Sequence, residues 1–191
     1  MDERQTPEHE LIRQYLDGDA AAFDCLYDRY RRPLYAFLNR LVPGQSARAD
    51  DLFQKTWLRM LDAFPRYREQ ERFAAWMFRI AHNLAMDEFR TGTGIAESAN
   101  PEDLAELPVA GAEAPWTDLA REELAERVDR AVADLAPEQR EVFLLRQQDL
   151  SFKEIARVQN TGINTVLGRM HYAVSRLRRL LAQSYREMTR I

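Results

Sequence analysis

LSFKEIARVQNTGINTVLGRMHYAVSRLRRLL, residues 150–181, reads as a short helix, a tight turn and a long basic helix. Ile155 and Ala156 sit side by side in the first helix, where a residue bulkier than Ala156 would block the approach of a second helix. Asn160 stands where the chain must reverse, and asparagine tolerates the left-handed conformation better than most non-glycine residues. Asn164 or Thr165 is available to cap the second helix, and Val166 and Met170 point back into the pair. The second helix carries Arg169, Arg176, Arg178 and Arg179 with almost no acid. This is the pattern of a helix-turn-helix whose second helix enters a DNA major groove. An ordinary αα-hairpin with a solvated basic face is the plainer reading of the same residues.

The net charge of −4 runs against a DNA-binding role until it is mapped along the chain. Between Ile95 and Glu126 nine acids stand against one base, Arg121, whereas Val166 to Arg190 holds six arginines against one acid, Glu187. Affinity for phosphates follows the local field, so the acidic middle hides a basic end. That middle also marks a boundary. TGTGIAESANPEDLAELPVAGAEAP, residues 91–115, contains three of the seven glycines and three of the eight prolines, with few large apolar residues to form a core. A flexible acidic linker is expected over 93–116, with room for a brief helical turn near 102–107. It would separate an N-terminal domain, residues 8–92, from a C-terminal domain, residues 117–187.

The N-terminal part predicts helices throughout. Between Ala20 and Leu41, the residues Phe23, Leu26, Tyr27, Tyr30, Leu34, Phe37, Leu38 and Leu41 follow the rhythm of one buried stripe. Pro33 falls inside it, predicting a kink or a break. A second helix is expected from about Ser46 to Ala63, after the Pro43-Gly44 turn and before Pro65, and a third from about Glu71 to Phe89. Sustained period-two alternation is missing, so the expected class is all-α, with essentially no sheet. Two segments carry more than core. ADDLFQKTWLRML, residues 49–61, offers Asp50, Asp51, Gln54 and Arg59 to an exposed face. RFAAWMFRIAHNLAMDEFR, residues 72–90, alternates aromatics with Arg72, Arg79, Asn83 and Arg90, a mixture that can stack on unpaired bases and hold a nucleic-acid backbone. At helical spacing, however, Trp76 and Phe89 are more often core.

Length and residue usage exclude other classes. The 191 residues suit one large or two small domains. A single cysteine, Cys25, excludes an internal disulfide framework and any multi-cysteine zinc site, and it lies in an apolar stripe that suits a buried structural thiol. His9, His82 and His171 follow no metal-ligand spacing. No carboxylate pairs with a histidine or nucleophile in a recognisable motif, so neither enzymatic chemistry nor a metal or cofactor is expected. The acidic N-terminus is unlike a signal peptide, and no apolar run is long enough to span a bilayer. A cytoplasmic protein without membrane insertion is expected.

Taken in order, these blocks resemble the bacterial RNA polymerase sigma factors of the extracytoplasmic-function class, in the sigma-70 family. DDLFQKTWLRM resembles the segment that grips the polymerase clamp helices, and RFAAWMFRIAHNLAMDEFR the segment that melts and reads the promoter −10 element. LAPEQREVFLLRQQDLSFKEIA, running into the helix-turn-helix, resembles the −35 reading domain. The resemblance implies a non-enzymatic protein whose partners are core RNA polymerase, through its clamp helices and flap, and promoter DNA. It implies polymerase contacts at Asp50, Asp51, Gln54, Lys55, Thr56 and Arg59. The −10 contacts would come from Arg66, Tyr67 and Arg68 in the loop over 64–71, where a flipped base could be held, and from Trp76, Arg79, Asn83 and Arg90. The −35 contacts would come from Asn164, Thr165, Leu167, Gly168, His171 and Tyr172, with Arg169 and Arg176 on phosphates.

Departures from the family pattern raise further expectations. The polymerase-binding segment of the family carries acids where this chain has Arg48 and Lys55, which weakens an acid-on-base contact. A phosphate on the neighbouring Thr56 would restore about −1.5 to −2 charges, so a switch operated by a Ser/Thr kinase is one expected mode of control. An anti-sigma protein is another. Leu167 and Gly168 replace the usual basic and small polar residues of the recognition helix, and Leu167 could meet a thymine methyl. A stand-alone helix-turn-helix regulator that never joins polymerase is the alternative; it would bind duplex DNA tightly by itself.

Overall fold

The computed structural model describes residues 6–68, 72–91 and 118–188. The linker expected over 93–116, with its helical turn, and the start of the third helix at Glu71 lie outside the described residues. Helices are α1 (Glu8–Leu16), α2 (Ala20–Leu41), α3 (Ser46–Ala63), α4 (Phe73–Thr91), α5 (Asp118–Ala133), α6 (Pro137–Gln147), α7 (Phe152–Val158) and α8 (Ile163–Met188). There is no strand among the described residues, and none of the helices is long and apolar enough to cross a membrane.

The N-terminal unit packs its helices in chain order, α1 on α2, α2 on α3 and α3 on α4. Asp19 opens α2 by accepting from the Ala21 amide at 3.0 Å, satisfying one donor that a helix start leaves orphaned. The helix then runs unbroken through Pro33, so the predicted break does not occur. Its buried stripe holds Leu26, Leu34, Phe37 and Leu38. Gly44, at φ +75°, makes the expected turn into α3. Pro65 ends α3 as expected, by turning the chain into a 3-10 segment, Phe64–Arg66.

The first helix, α1, was not anticipated from the sequence. Polar contacts tie it down. Arg29 donates to the Thr6 carbonyl at 3.1 Å and to Glu8 Oε1 at 2.9 Å, and the Tyr30 hydroxyl donates to the same oxygen at 2.8 Å. Burial pushes the Glu8 carboxyl up, but the hydrogen bonds from Tyr30 and Arg29 more than offset it and leave it below the usual carboxylate value. Burial and the Glu8 contact together push the Tyr30 phenol well above its usual value.

In the C-terminal unit α5, α6 and α7 all pack on α8, around Val132, Leu145, Leu150, Ile155 and Val166. The two units also meet directly, through α2 against α5 and α6, and α4 against α7. Their buried apolar residues form one continuous cluster.

Because the folded pKa of Glu8 is lowered, the α1 fastening is fully present above the ordinary carboxylate range and is lost as pH falls through the lowered value. Amide exchange over residues 8–16 is therefore expected to accelerate on acidification, and in Glu8→Ala already at neutral pH. Equal protection of α1 in wild type and variant would refute this account.

Candidate nucleic-acid and protein interface

Ser151 and Glu154 start the helix-turn-helix. The Glu154 amide bonds Ser151 Oγ at 3.3 Å and the Ser151 amide bonds Glu154 Oε2 at 2.7 Å, a reciprocal capping box. Burial raises the Glu154 carboxyl, yet the Ser151 contacts and the charges of Arg72 and Arg157 leave it below its usual value. Asn160 makes the turn at φ +47°, as expected, and the Thr161 amide closes it on the Ala156 carbonyl at 2.9 Å. Ile155, Ala156 and Val166 are buried where the two helices meet, with Met170 half-buried against them. The predicted cap is corrected. The second helix begins at Ile163, so Asn164 and Thr165 lie inside its first turn, and the Val166 amide bonds the Gly162 carbonyl.

Along α8, Asn164, Thr165, Leu167, His171 and Arg176 are exposed. Tyr172 is half-buried and meets the His171 ring edge-on, with centroids 6.0 Å apart. A Cβ on Gly168 would touch nothing within 4 Å, so packing does not demand glycine there. Arg169 differs from expectation. Its guanidinium is half-buried and donates to Gln159 Oε1 at 2.8 Å, bracing α8 against the end of α7 instead of standing free for a phosphate.

On the N-terminal unit, Asp50, Gln54 and Leu58 follow one face of α3 at four-residue spacing, and all are exposed. Leu58, 63% exposed, is the most open large apolar side chain of the described residues. The sequence reading missed it, although its place four residues beyond Gln54 was a usable signal. Tyr35 hydrogen-bonds Asp50, which raises the phenol above its usual value. Lys55 bridges Asp51 at 2.5 Å and Glu88 of α4 at 3.0 Å. Arg48 meets the same Glu88 at 3.2 Å and stacks over Phe89 at 4.6 Å. The two bases that depart from the family pattern are thus neutralised from within, by Asp51 and by Glu88, which stands 40 positions beyond Arg48 and 33 beyond Lys55. Between α3 and α4 runs an open groove lined by Lys55, Leu58 and Arg59 on one side and Asn83 and Arg90 on the other. It brings residues expected to contact polymerase together with residues expected to contact −10 DNA.

Two expectations fail on burial. Thr56 is fully buried, and its hydroxyl donates to the Leu52 carbonyl at 2.7 Å, so it can neither touch a partner nor receive a phosphate while α3 is folded. The kinase switch is therefore withdrawn. Trp76 is also buried, within about 6 Å of the Phe64, Tyr67 and Phe73 rings, a core side chain and not a platform for a base. Tyr67 is half-buried in the same aromatic cluster, Arg66, Arg68, Asn83 and Arg90 are exposed, and Arg79 is half-buried. Cys25 is likewise half-buried. No group of three or more metal-ligating side chains occurs among the described residues.

Comparison with known proteins defines the class. The sigma-70 region 2 family model matches residues 26–94, and the sigma-70 region 4 model residues 125–177. The chain belongs to the extracytoplasmic-function RNA polymerase sigma factors. It is 31% identical to the RNA polymerase sigma factor CarQ of Myxococcus xanthus over 180 residues, covering 94% of this chain and all of CarQ. It is 33% identical to the ECF RNA polymerase sigma factor BldN of Streptomyces coelicolor over 181 residues, covering 93% of this chain and 67% of BldN. Among solved structures it resembles CnrH in complex with the cytosolic domain of CnrY, with a TM-score of 0.64, 26% identity, and coverage of 92% of this chain and 97% of CnrH. The sigma factor RpoE bound to the anti-sigma factor NepR, from Bartonella quintana, shares the fold, with a TM-score of 0.62, 24% identity and coverage of 84% and 96%.

A carboxylate at position 56 would be forced into the core beneath α3. Thr56→Glu is expected to cost roughly 3 kcal/mol or more, and the isosteric Thr56→Val far less. Thermal unfolding of both variants checks this, and a Thr56→Glu protein that melts with the wild type would overturn it. Ser151→Ala, measured alongside, should cost about 1 kcal/mol by removing the cap.

Proposed function

We propose that this sigma factor binds core RNA polymerase and directs it to promoters whose −10 and −35 elements are read by separate domains. The observation that carries the reading is that one chain holds a sigma-70 region 2 match and a region 4 match, the latter ending in an exposed, acid-free recognition face. We take the domains as residues 8–92 and 117–187, joined by 93–116. Polymerase would be met on the α3 face by Asp50, Asp51, Gln54 and Leu58, with Arg59 at the rim of the groove. No phosphorylation is needed, because Glu88 and Asp51 already cancel the charges of Arg48 and Lys55.

Arg66, Arg68, Asn83 and Arg90 would address −10 DNA, with Tyr67 and Arg79 behind them. On the −35 element Asn164, Thr165, Leu167 and His171 face base edges, Gly168 allows close backbone approach, and Arg176 takes a phosphate. The protein would supply no bond-making chemistry. It would position the DNA for the polymerase. An anti-sigma protein is the proposed regulatory partner, on the strength of CnrH, a structural relative bound to the cytosolic domain of CnrY.

Run-off transcription with core polymerase and a promoter library is expected to yield specific transcripts from the unmodified protein. Arg176→Ala should weaken promoter binding about equally across sequences and lower the salt slope by about one. Leu167→Ala should instead change base preference at one −35 position. Tight specific binding to duplex DNA without polymerase, and no transcripts with it, would favour the stand-alone regulator.

A further inference from the structure

Five polar or charged side chains are buried among the described residues: Thr56, His82, Arg140, Glu141 and Gln159. Thr56 is satisfied within its own helix, and Arg140 is held by backbone carbonyls. The other three form a single chain. His82 Nδ1 lies 2.6 Å from Glu141 Oε1, across the boundary between α4 and α6. Glu141 Oε2 accepts from Gln159 Nε2 at 2.6 Å, and Gln159 Oε1 accepts from Arg169 Nη1 at 2.8 Å. A carboxylate only accepts, so Nδ1 is the ring nitrogen that carries the hydrogen. The line begins beside Asn83 in the proposed −10 surface and ends on the proposed −35 recognition helix.

The closed arrangement cannot serve a promoter. Elements centred near −10 and −35 lie about 25 base pairs apart, roughly 85 Å at 3.4 Å per pair. Two compact domains of this size, each about 30 Å across, span about 60 Å when they touch side by side. They must separate to occupy both elements. The 26 residues between α4 and α5 (92–117) reach about 90 Å when extended, just enough.

We infer that the His82–Glu141 pair is a latch that holds the free protein closed, and that Gln159 and Arg169 tie the recognition helix to the same latch. The promoter geometry rests on the function proposed above; the closure itself does not. The chemistry suits a contact that must open. A hydrogen-bonded pair taken out of water adds little net stability, because both groups regain their hydration when they part. Removing one partner while the contact stays shut leaves a buried polar atom without its bond, which drives the domains apart. Around the pair the boundary joins one continuous apolar cluster, and further polar contacts cross it: Arg40 with Asp129 at 2.6 Å and Gln147 at 3.1 Å, Arg72 with the Asp149 carbonyl at 2.9 Å, and Arg140 with the Leu41 carbonyl at 3.0 Å.

Small-angle X-ray scattering of the full chain tests the latch without DNA or polymerase. Wild type is expected to be compact. His82→Glu, which sets two carboxylates against each other, should raise the radius of gyration by roughly a third, and Glu141→Ala should do likewise. The exchanged variant, His82→Glu with Glu141→His, should return to the wild-type size. An extended wild type, folded single variants that stay compact, or an exchanged pair that stays open would each overturn the latch. Should the single variants not fold, by circular dichroism, wild type still decides: hydrogen exchange at α4, α6 and α7 should accelerate when core polymerase binds, and unchanged protection in the complex would refute opening. A compact, latched protein that supports no transcription would sink the proposed function and leave the latch standing.

Discussion

Arg140 is the side chain on which the corner between α5 and α6 depends, and like the His82–Glu141 pair it crosses to the N-terminal unit. Its guanidinium is buried, yet it donates to no carboxylate. It donates instead to the carbonyls of Val132, Ala133 and Leu135 at the end of α5, and to Leu41 at the end of α2, 3.0 Å away. A helix leaves its last carbonyls without partners and concentrates partial negative charge there. One planar cation meets two such ends at once, and that fixes the corner between α5 and α6 against the N-terminal unit. Burial pulls the guanidinium below its usual pKa, with Asp134 opposing, and an arginine can bear this because it starts so far above neutrality. A lysine offers a single point of charge and could not fan out to four acceptors.

The same logic of partners supplied from elsewhere in the chain governs the α3 surface. Read along the helix alone, Arg48 and Lys55 look like an electrostatic defect that some added charge must repair. In the folded protein Glu88 reaches over from α4 and accepts both, while Asp51 holds Lys55 from its own helix. Exposed ion pairs contribute little stability, but they decide the field that a partner meets. What remains toward solvent is Asp50 and Gln54 beside the apolar Leu58, a face that is polar, mildly acidic and greasy at one point. A surface of that kind can bind by burying one leucine and needs no dense acidic patch.

What the sequence disclosed and what it withheld divide along the range of the interactions. The helix-turn-helix was legible because its determinants are local: a small alanine in the first helix, an asparagine at the reversal, and apolar residues at helical spacing on both sides; the Ser151–Glu154 capping pair, equally local, went unread. The long stripe of α2 and the stop at Pro65 were legible for the same reason. The short helix α1 was not, because it is fastened by Arg29 and Tyr30 more than 20 residues away. Thr56 looked available because its neighbours are charged; nothing in the string of letters says that its hydroxyl turns back to Leu52. Arg169 looked like a phosphate ligand because arginines on recognition helices commonly are, whereas the fold gives it an acceptor ten positions earlier. Trp76 fell to the more common fate of an aromatic at helical spacing.

His82 and Glu141, 59 residues apart, could not have been paired from the sequence, and their pairing changes what kind of object the free protein is. Two domains on a long tether would sample every separation, and each would search DNA alone. A closed body behaves differently, because it presents the two proposed DNA-facing surfaces at a spacing that no single promoter offers. Specificity then does not rest on how tightly either domain grips its element. It rests on the difference between a closed form that can use one element at a time and an open form that can use two. A polymerase that met the proposed α3 face and the C-terminal unit at separate places would favour the open form simply by being large. A small partner that bridges the two units favours the closed one. The His82–Glu141 pair gives that choice a polar trigger within a seam that is also apolar.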